Sequence, residues 1–267
     1  MKDQQALFGF HKAPFTREIA PNERLPLPHL DEALHGIHDA VIGRMSAALI
    51  APAGAGKTTI LRALRDMLPE ARYRVRYVKV TSLSKRDMCR EISAVCGIAP
   101  AGTYPSLVRS LQEHFENSFT IDGLRPVLLL DEAHDMRLDT LGMIRILTNF
   151  DMDSKLVLSV VLSGQKGLEK MLAKDEMQSV TKRINHCSTL RLLSRDETTR
   201  YLEHRCAVAG ASDFPFDNGA VESVFELSRG NLRAIDSLAF KSLAKAARQE
   251  SSTVSSAHVI AARKELL

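Results

Sequence analysis

The 267-residue sequence predicts an α/β domain, a parallel sheet sandwiched by helices, followed by a small all-helical domain. Three observations predict it. Short apolar runs alternate with amphipathic helical stretches as far as Leu162, the pattern of a parallel sheet covered on both faces. A glycine-bearing turn joins the first apolar run to a helix. After Leu193 only helical periodicity remains.

Residues 1–30 carry Pro14, Pro21, Pro26 and Pro28 and read as an irregular arm. Asp31 opens a helix with Leu34, Ile37, His38 and Val41 on one side. Ala47–Ala51 is the first strand, and a helix runs from Lys57 to about Leu68. Tyr77–Val80 is the second strand, and Ser84–Cys96 and Ser106–Asn117 are helices. Pro126 precedes the third strand, Val127–Leu130; Leu138–Phe150 is helical, and Leu156–Leu162 is the fourth strand. Ser194 with Glu197 forms a capping box. It opens the helices Ser194–Ala209, Asn218–Leu227, Asn231–Arg248 and Ser255–Glu265. The domains are therefore 1–193, arm included, and 194–267.

The formal charge of +4 permits nucleic-acid binding without requiring it. No Trp, 4 Tyr and 10 Phe speak against binding single strands by base stacking. Cys89, Cys96, Cys187 and Cys206 form no C-x-x-C pair and read as reduced thiols. The N-terminus lacks an apolar leader, and no apolar run reaches the ~20 residues that cross a bilayer. A cytoplasmic protein with no membrane partner is expected.

Ala51-Pro52-Ala53-Gly54-Ala55-Gly56-Lys57-Thr58 follows a strand and opens a helix, the setting of a phosphate-binding loop. Backbone N–H groups from Pro52 to Thr59, proline excepted, and the helix dipole would cradle phosphates. Lys57 would reach the β- and γ-phosphates and Thr58 would ligate Mg²⁺. Ala51 replaces the first glycine of the pattern; alanine suits a turn that needs no positive φ. Val127-Leu128-Leu129-Leu130-Asp131-Glu132 is an apolar strand ending in two carboxylates. Asp131 would hold the Mg²⁺ shell and Glu132 would act as general base on the attacking water. The pair predicts ATP and Mg²⁺ as cofactors and hydrolysis as the reaction.

The chain resembles the AAA+ ATPases, and within them the ExeA-like group. Phe8-Gly9-Phe10, Ala13-Pro14-Phe15, the two phosphate-site motifs, Leu147-Thr148-Asn149-Phe150, Val161-Leu162-Ser163-Gly164-Gln165 and Ser228-Arg229-Gly230-Asn231-Leu232-Arg233 carry the resemblance. It implies a γ-phosphate sensor at Ser163, with Gln165 as the close alternative. It implies an arginine finger at Arg183, beside Lys182, acting on a neighbouring subunit. It implies a second sensor at Arg233, and an adenine pocket lined by Leu25 to Leu30. Such ATPases work as rings or helical filaments of one chain.

Two biological settings follow from the resemblance. One is that of the transposition regulators TnsC, TniB and IstB, which assemble on duplex DNA and deliver a transposase. Lys79, Lys85 and Arg86 would then touch DNA phosphates, with Arg72, Arg74 and Arg76 adding a basic stretch. The other is that of ExeA, an ATPase that aids assembly of a secretin. That class carries a transmembrane segment and a peptidoglycan-binding region, and neither is read in this sequence. Transposition is accordingly the expected role. A nucleotide-gated scaffold without turnover is the third reading, and Lys57, Asp131 and Glu132 speak against it.

Overall fold

The computed structural model describes residues 7–16, 18–100 and 102–266. They form two compact units. One is Pro28–Pro52 with Lys57–Leu190; the other is the described part of Met1–Leu27 with Ala53–Gly56 and Arg191–Leu267.

The first unit is built on β1 (Ser46–Ile50), β2 (Tyr73–Lys79), β3 (Arg125–Asp131), β4 (Ser159–Gly164) and β5 (Ile184–Thr189). All neighbours are parallel, in the order β2-β3-β4-β1-β5. The inner strands β1, β3 and β4 are buried almost throughout, as strands covered on both faces must be. Helices α1 (Pro28–Ile42) and α2 (Lys57–Met67) pack on each other, and α1 lies on β1 and β5. Helices α3 (Lys85–Cys96) and α4 (Tyr104–Thr120) place Met88, Ile92, Leu107 and Leu111 against Leu128, Leu130, Val160 and Leu162. Each fully buried leucine or isoleucine of this core contributes about 2 kcal/mol.

Several elements differ from the sequence reading. β2 begins at Tyr73 rather than Tyr77, because an edge strand tolerates charged residues such as exposed Arg74 and half-buried Arg76. The helix expected over 138–150 is broken into α5 (Leu138–Leu141) and α6 (Met143–Leu147), followed by a left-handed turn at Asp151, Met152 and Asp153. β5 was not anticipated, since its residues alternate partly and fully exposed except for buried Ser188. Two further short helices, α7 (Lys166–Leu172) and α8 (Gln178–Thr181), lie between β4 and β5.

The second unit contains α9 (Arg195–Val208), α10 (Asn218–Ser228), α11 (Leu232–Arg248) and α12 (Ser256–Lys264). The expected capping box opens α9: Glu197 N–H donates to Ser194 Oγ, and Ser194 N–H to Glu197 Oε2. The N-terminal arm, which the sequence reading attaches to the α/β domain, groups with this helical unit instead. His11 N–H donates to Ala209 O over 2.8 Å, and Arg205 Nη2 to Thr16 O over 2.7 Å. Arg205, 5% exposed, lies over the rings of Phe15 and Tyr201. Among the described residues no helix is long and apolar enough to cross a membrane.

Candidate nucleotide site

The loop after β1 is shaped by its glycines. Gly54 and Gly56 sit at φ +74° and +96°, which residues with a Cβ rarely adopt. Ala51 is buried and is not among the positive-φ residues. Its N–H donates to Gly164 O over 2.9 Å, so this position needs no glycine. Lys57, 5% exposed, donates through Nζ to Pro52 O at 3.4 Å and Ala51 O at 3.5 Å. Pro52 and Thr58 are exposed, Ala53 likewise, Thr59 is half-buried and Ala55 is buried.

Asp131 ends β3, and its carboxylate is 2% exposed. Oδ1 accepts from Ser163 Oγ and from Glu132 N–H, each at 2.9 Å. Oδ2 accepts from Thr58 Oγ1 at 3.0 Å and from Tyr77 Oη at 3.2 Å. Four donors on one carboxylate hold its plane fixed. Thr58 and Asp131 offer hard oxygen donors, which suit Mg²⁺. Among the described residues no cluster of three His, Cys, Asp or Glu could hold a metal alone. A cation at Thr58 and Asp131 would thus complete its shell from phosphates and water, as Mg²⁺ does.

Glu132 follows at φ +57°, a strained left-handed conformation for a residue with a side chain. Its Oε2 lies 3.5 Å from His134 Nδ1, and both atoms are buried without a hydrogen bond. His134 Nε2 in turn lies 2.7 Å from Gln165 Nε2. The end of β4 therefore serves both carboxylates: Ser163 touches Asp131, and Gln165 touches the histidine facing Glu132.

Tyr77 is a participant that sequence reasoning missed. β2 runs parallel to β3 with Tyr77 opposite Leu129, two residues before Asp131 and on the same face. Burial and the neighbouring Asp131 and Glu132 carboxylates push its phenol up to about 12, so it stays a neutral donor.

Arg183 stands apart from these residues. It precedes β5, whose first residue pairs with Ser46 at the start of β1, whereas Asp131 and Ser163 lie at the opposite, C-terminal ends of β3 and β4. About six residues of strand separate the two ends by about 20 Å. Arg183 pairs with both carboxylate oxygens of Asp153, at 2.6 and 2.7 Å. That pair lies on a cavity of about 600 Å³ also lined by Arg145, Lys182 and Gln112.

Arg233 is exposed in the first turn of α11. The cap of that helix, Asn231, donates from Nδ2 to Ala53 O over 2.7 Å. Gly230 admits this arrangement, since a Cβ there would meet Leu193 O at 2.0 Å. Lys79 is exposed and in register with Asp131. Lys85 and Arg86 start α3, and Arg86 donates from Nε to Gly102 O. Leu25, Leu27 and Leu30 are buried.

Residues 41–172 match the family described as the AAA domain. That stretch holds the loop at 51–58, Asp131 and Glu132, on a five-stranded parallel sheet. The chain has an AAA+ P-loop fold, and its residues 41–172 are similar to the AAA domain family. General secretion pathway protein A of Aeromonas hydrophila is 30% identical over 251 residues, covering 88% of this chain and 43% of that protein. The chain thus spans less than half the length of this relative. The solved structure of Cdc6p from Pyrobaculum aerophilum superposes with a TM-score of 0.76 at 17% identity, covering 98% of this chain and 71% of that one. The Aeropyrum pernix ORC1 protein, solved in complex with DNA, gives 0.70 at 18% identity, covering 94% and 68%. At these identities the structures speak for the AAA+ fold alone.

Proposed function

We propose that this AAA+ chain binds ATP·Mg²⁺ and hydrolyses it at a site completed by a second copy of itself. The observation that carries the reading is the Asp131 carboxylate bonded to Thr58 and Ser163, with Glu132 beside it. Lys57 and the N–H groups of Ala53–Thr59 bind phosphate oxygens. Bound Mg²⁺ neutralises phosphate charge; Thr58 and Asp131 hold it. Glu132 takes the proton of the attacking water. Ser163 keeps Asp131 oriented, and Gln165 is the polar sensor acting beside Glu132. Arg183 supplies the finger in trans, since it stands before β5 at the strand ends opposite its own carboxylates. Arg233 is the second sensor.

For the output of the cycle, our first reading is assembly on duplex DNA as a ring or filament that recruits a transposase. Lys79, Lys85 and Arg86 contact phosphates, and the exposed end of β2 supports that role. The DNA-bound ORC1 structure shows the same fold at work on DNA in that protein. The second reading is ATP-driven assembly of a secretion complex, favoured by the 30% identity to general secretion pathway protein A. A gel shift with duplex DNA separates them. The first reading expects binding that needs ATP or a slowly hydrolysed analogue, tolerates sequence and weakens steeply with salt. No shift at low salt removes it.

A further inference from the structure

The structure points to Tyr77 as a placeholder at the metal-binding oxygen of Asp131, a reading that rests on the ATP·Mg²⁺ site proposed above. We infer that the Tyr77 phenol occupies the Oδ2 position that a metal-bound water takes on loading, and that it must leave for Mg²⁺ to be held.

The four donors on Asp131 fill the lone pairs a carboxylate offers. Two of them are fixed: Glu132 N–H belongs to the backbone next to Asp131, and Ser163 is fully buried within β4. Thr58 can keep its bond, since a hydroxyl donates one hydrogen while its lone pairs remain free for a cation. Tyr77 differs from all three. It stands on edge strand β2, its residue is 41% exposed, and its 3.2 Å contact is the longest of the four. A phenol has no role as a neutral metal ligand here, but it gives the buried Oδ2 a second donor beside Thr58. Tyr77 is therefore a positioning residue. It keeps Asp131 aligned before loading, and it lowers apparent Mg²⁺ affinity by the strength of the bond that loading breaks.

The sequence supplies a direct readout. With no Trp and 4 Tyr, emission of the protein comes from tyrosine, and a phenol bonded to a carboxylate is quenched. Mg²⁺ is titrated into the full chain at a saturating concentration of a slowly hydrolysed ATP analogue, following tyrosine emission and analogue binding. Wild type brightens when Mg²⁺ is added to the nucleotide-loaded chain, and not with nucleotide alone. Tyr77→Phe retains folding, loses that brightening, and needs about 3- to 10-fold less Mg²⁺ for half-saturation, the value of one partly exposed bond to a charged acceptor. With wild-type binding intact, an equal or higher Mg²⁺ requirement in Tyr77→Phe overturns the inference. So does a brightening that survives the substitution, or its absence in wild type. Absence of Mg²⁺-dependent nucleotide binding in wild type sinks the site reading and this inference together.

Discussion

Ser163 donates its hydroxyl hydrogen to Asp131 Oδ1 across 2.9 Å, tying the ends of β4 and β3 together at the carboxylate. Both groups are buried, so the bond has no water to replace it. Ser163→Ala should destabilise the protein by about 1–3 kcal/mol through the loss of a buried bond to a charged acceptor. It should lower ATP turnover about tenfold by loosening Asp131, while nucleotide still binds. Denaturant unfolding and steady-state turnover check the two effects separately.

Arg183 and Glu132 should complement one another between subunits. Arg183→Ala removes the finger and should reduce turnover on the order of 10³-fold. Glu132→Gln leaves the finger and removes the base. A mixture of the two inactive variants pairs an intact base with an intact finger at some interfaces, and part of the activity should return. A mixture as inactive as its components would show that Arg183 does not act in trans.

Arg205 should hold the arm to the helical unit. Its guanidinium bonds Thr16 O, the Tyr201 hydroxyl and Asp236 Oδ1. Arg205→Ala removes the buried cation that bonds Thr16 O, Tyr201 and Asp236 and should cost about 3 kcal/mol. Limited proteolysis should then cut between Phe8 and Thr16 at protease concentrations that leave wild type whole.

The inner sheet and both phosphate-site motifs were legible because each depends on local signals. β1, β3 and β4 are apolar runs, and the loop at 51–58 and the pair Asp131–Glu132 lie next to them in sequence. β5 gave no such signal. Asn185, His186, Cys187 and Thr189 suit an edge strand that presents little apolar surface, and the strand is accommodated by Gly36 of α1. A Cβ at Gly36 would lie 2.3 Å from His186 Nε2. Without β5, the place of Arg183 at the N-terminal end of the strands cannot be read. Tyr77 was hidden for a related reason: its partner is set by the register of β2 on β3, which periodicity does not encode. The Phe8–Phe15 opening was read only as a family resemblance. Its physical role emerges from Phe15 packing edge-on against Phe216 and beneath Arg205.

The central claim is that Glu132, held in a left-handed turn beside Asp131, is the base of an ATP hydrolysis site. Turnover by Glu132→Gln in the presence of duplex DNA, with nucleotide binding measured on the same sample, tests it most directly. The account predicts a loss of about 10²- to 10⁴-fold in turnover with binding retained. Turnover equal to wild type would contradict it.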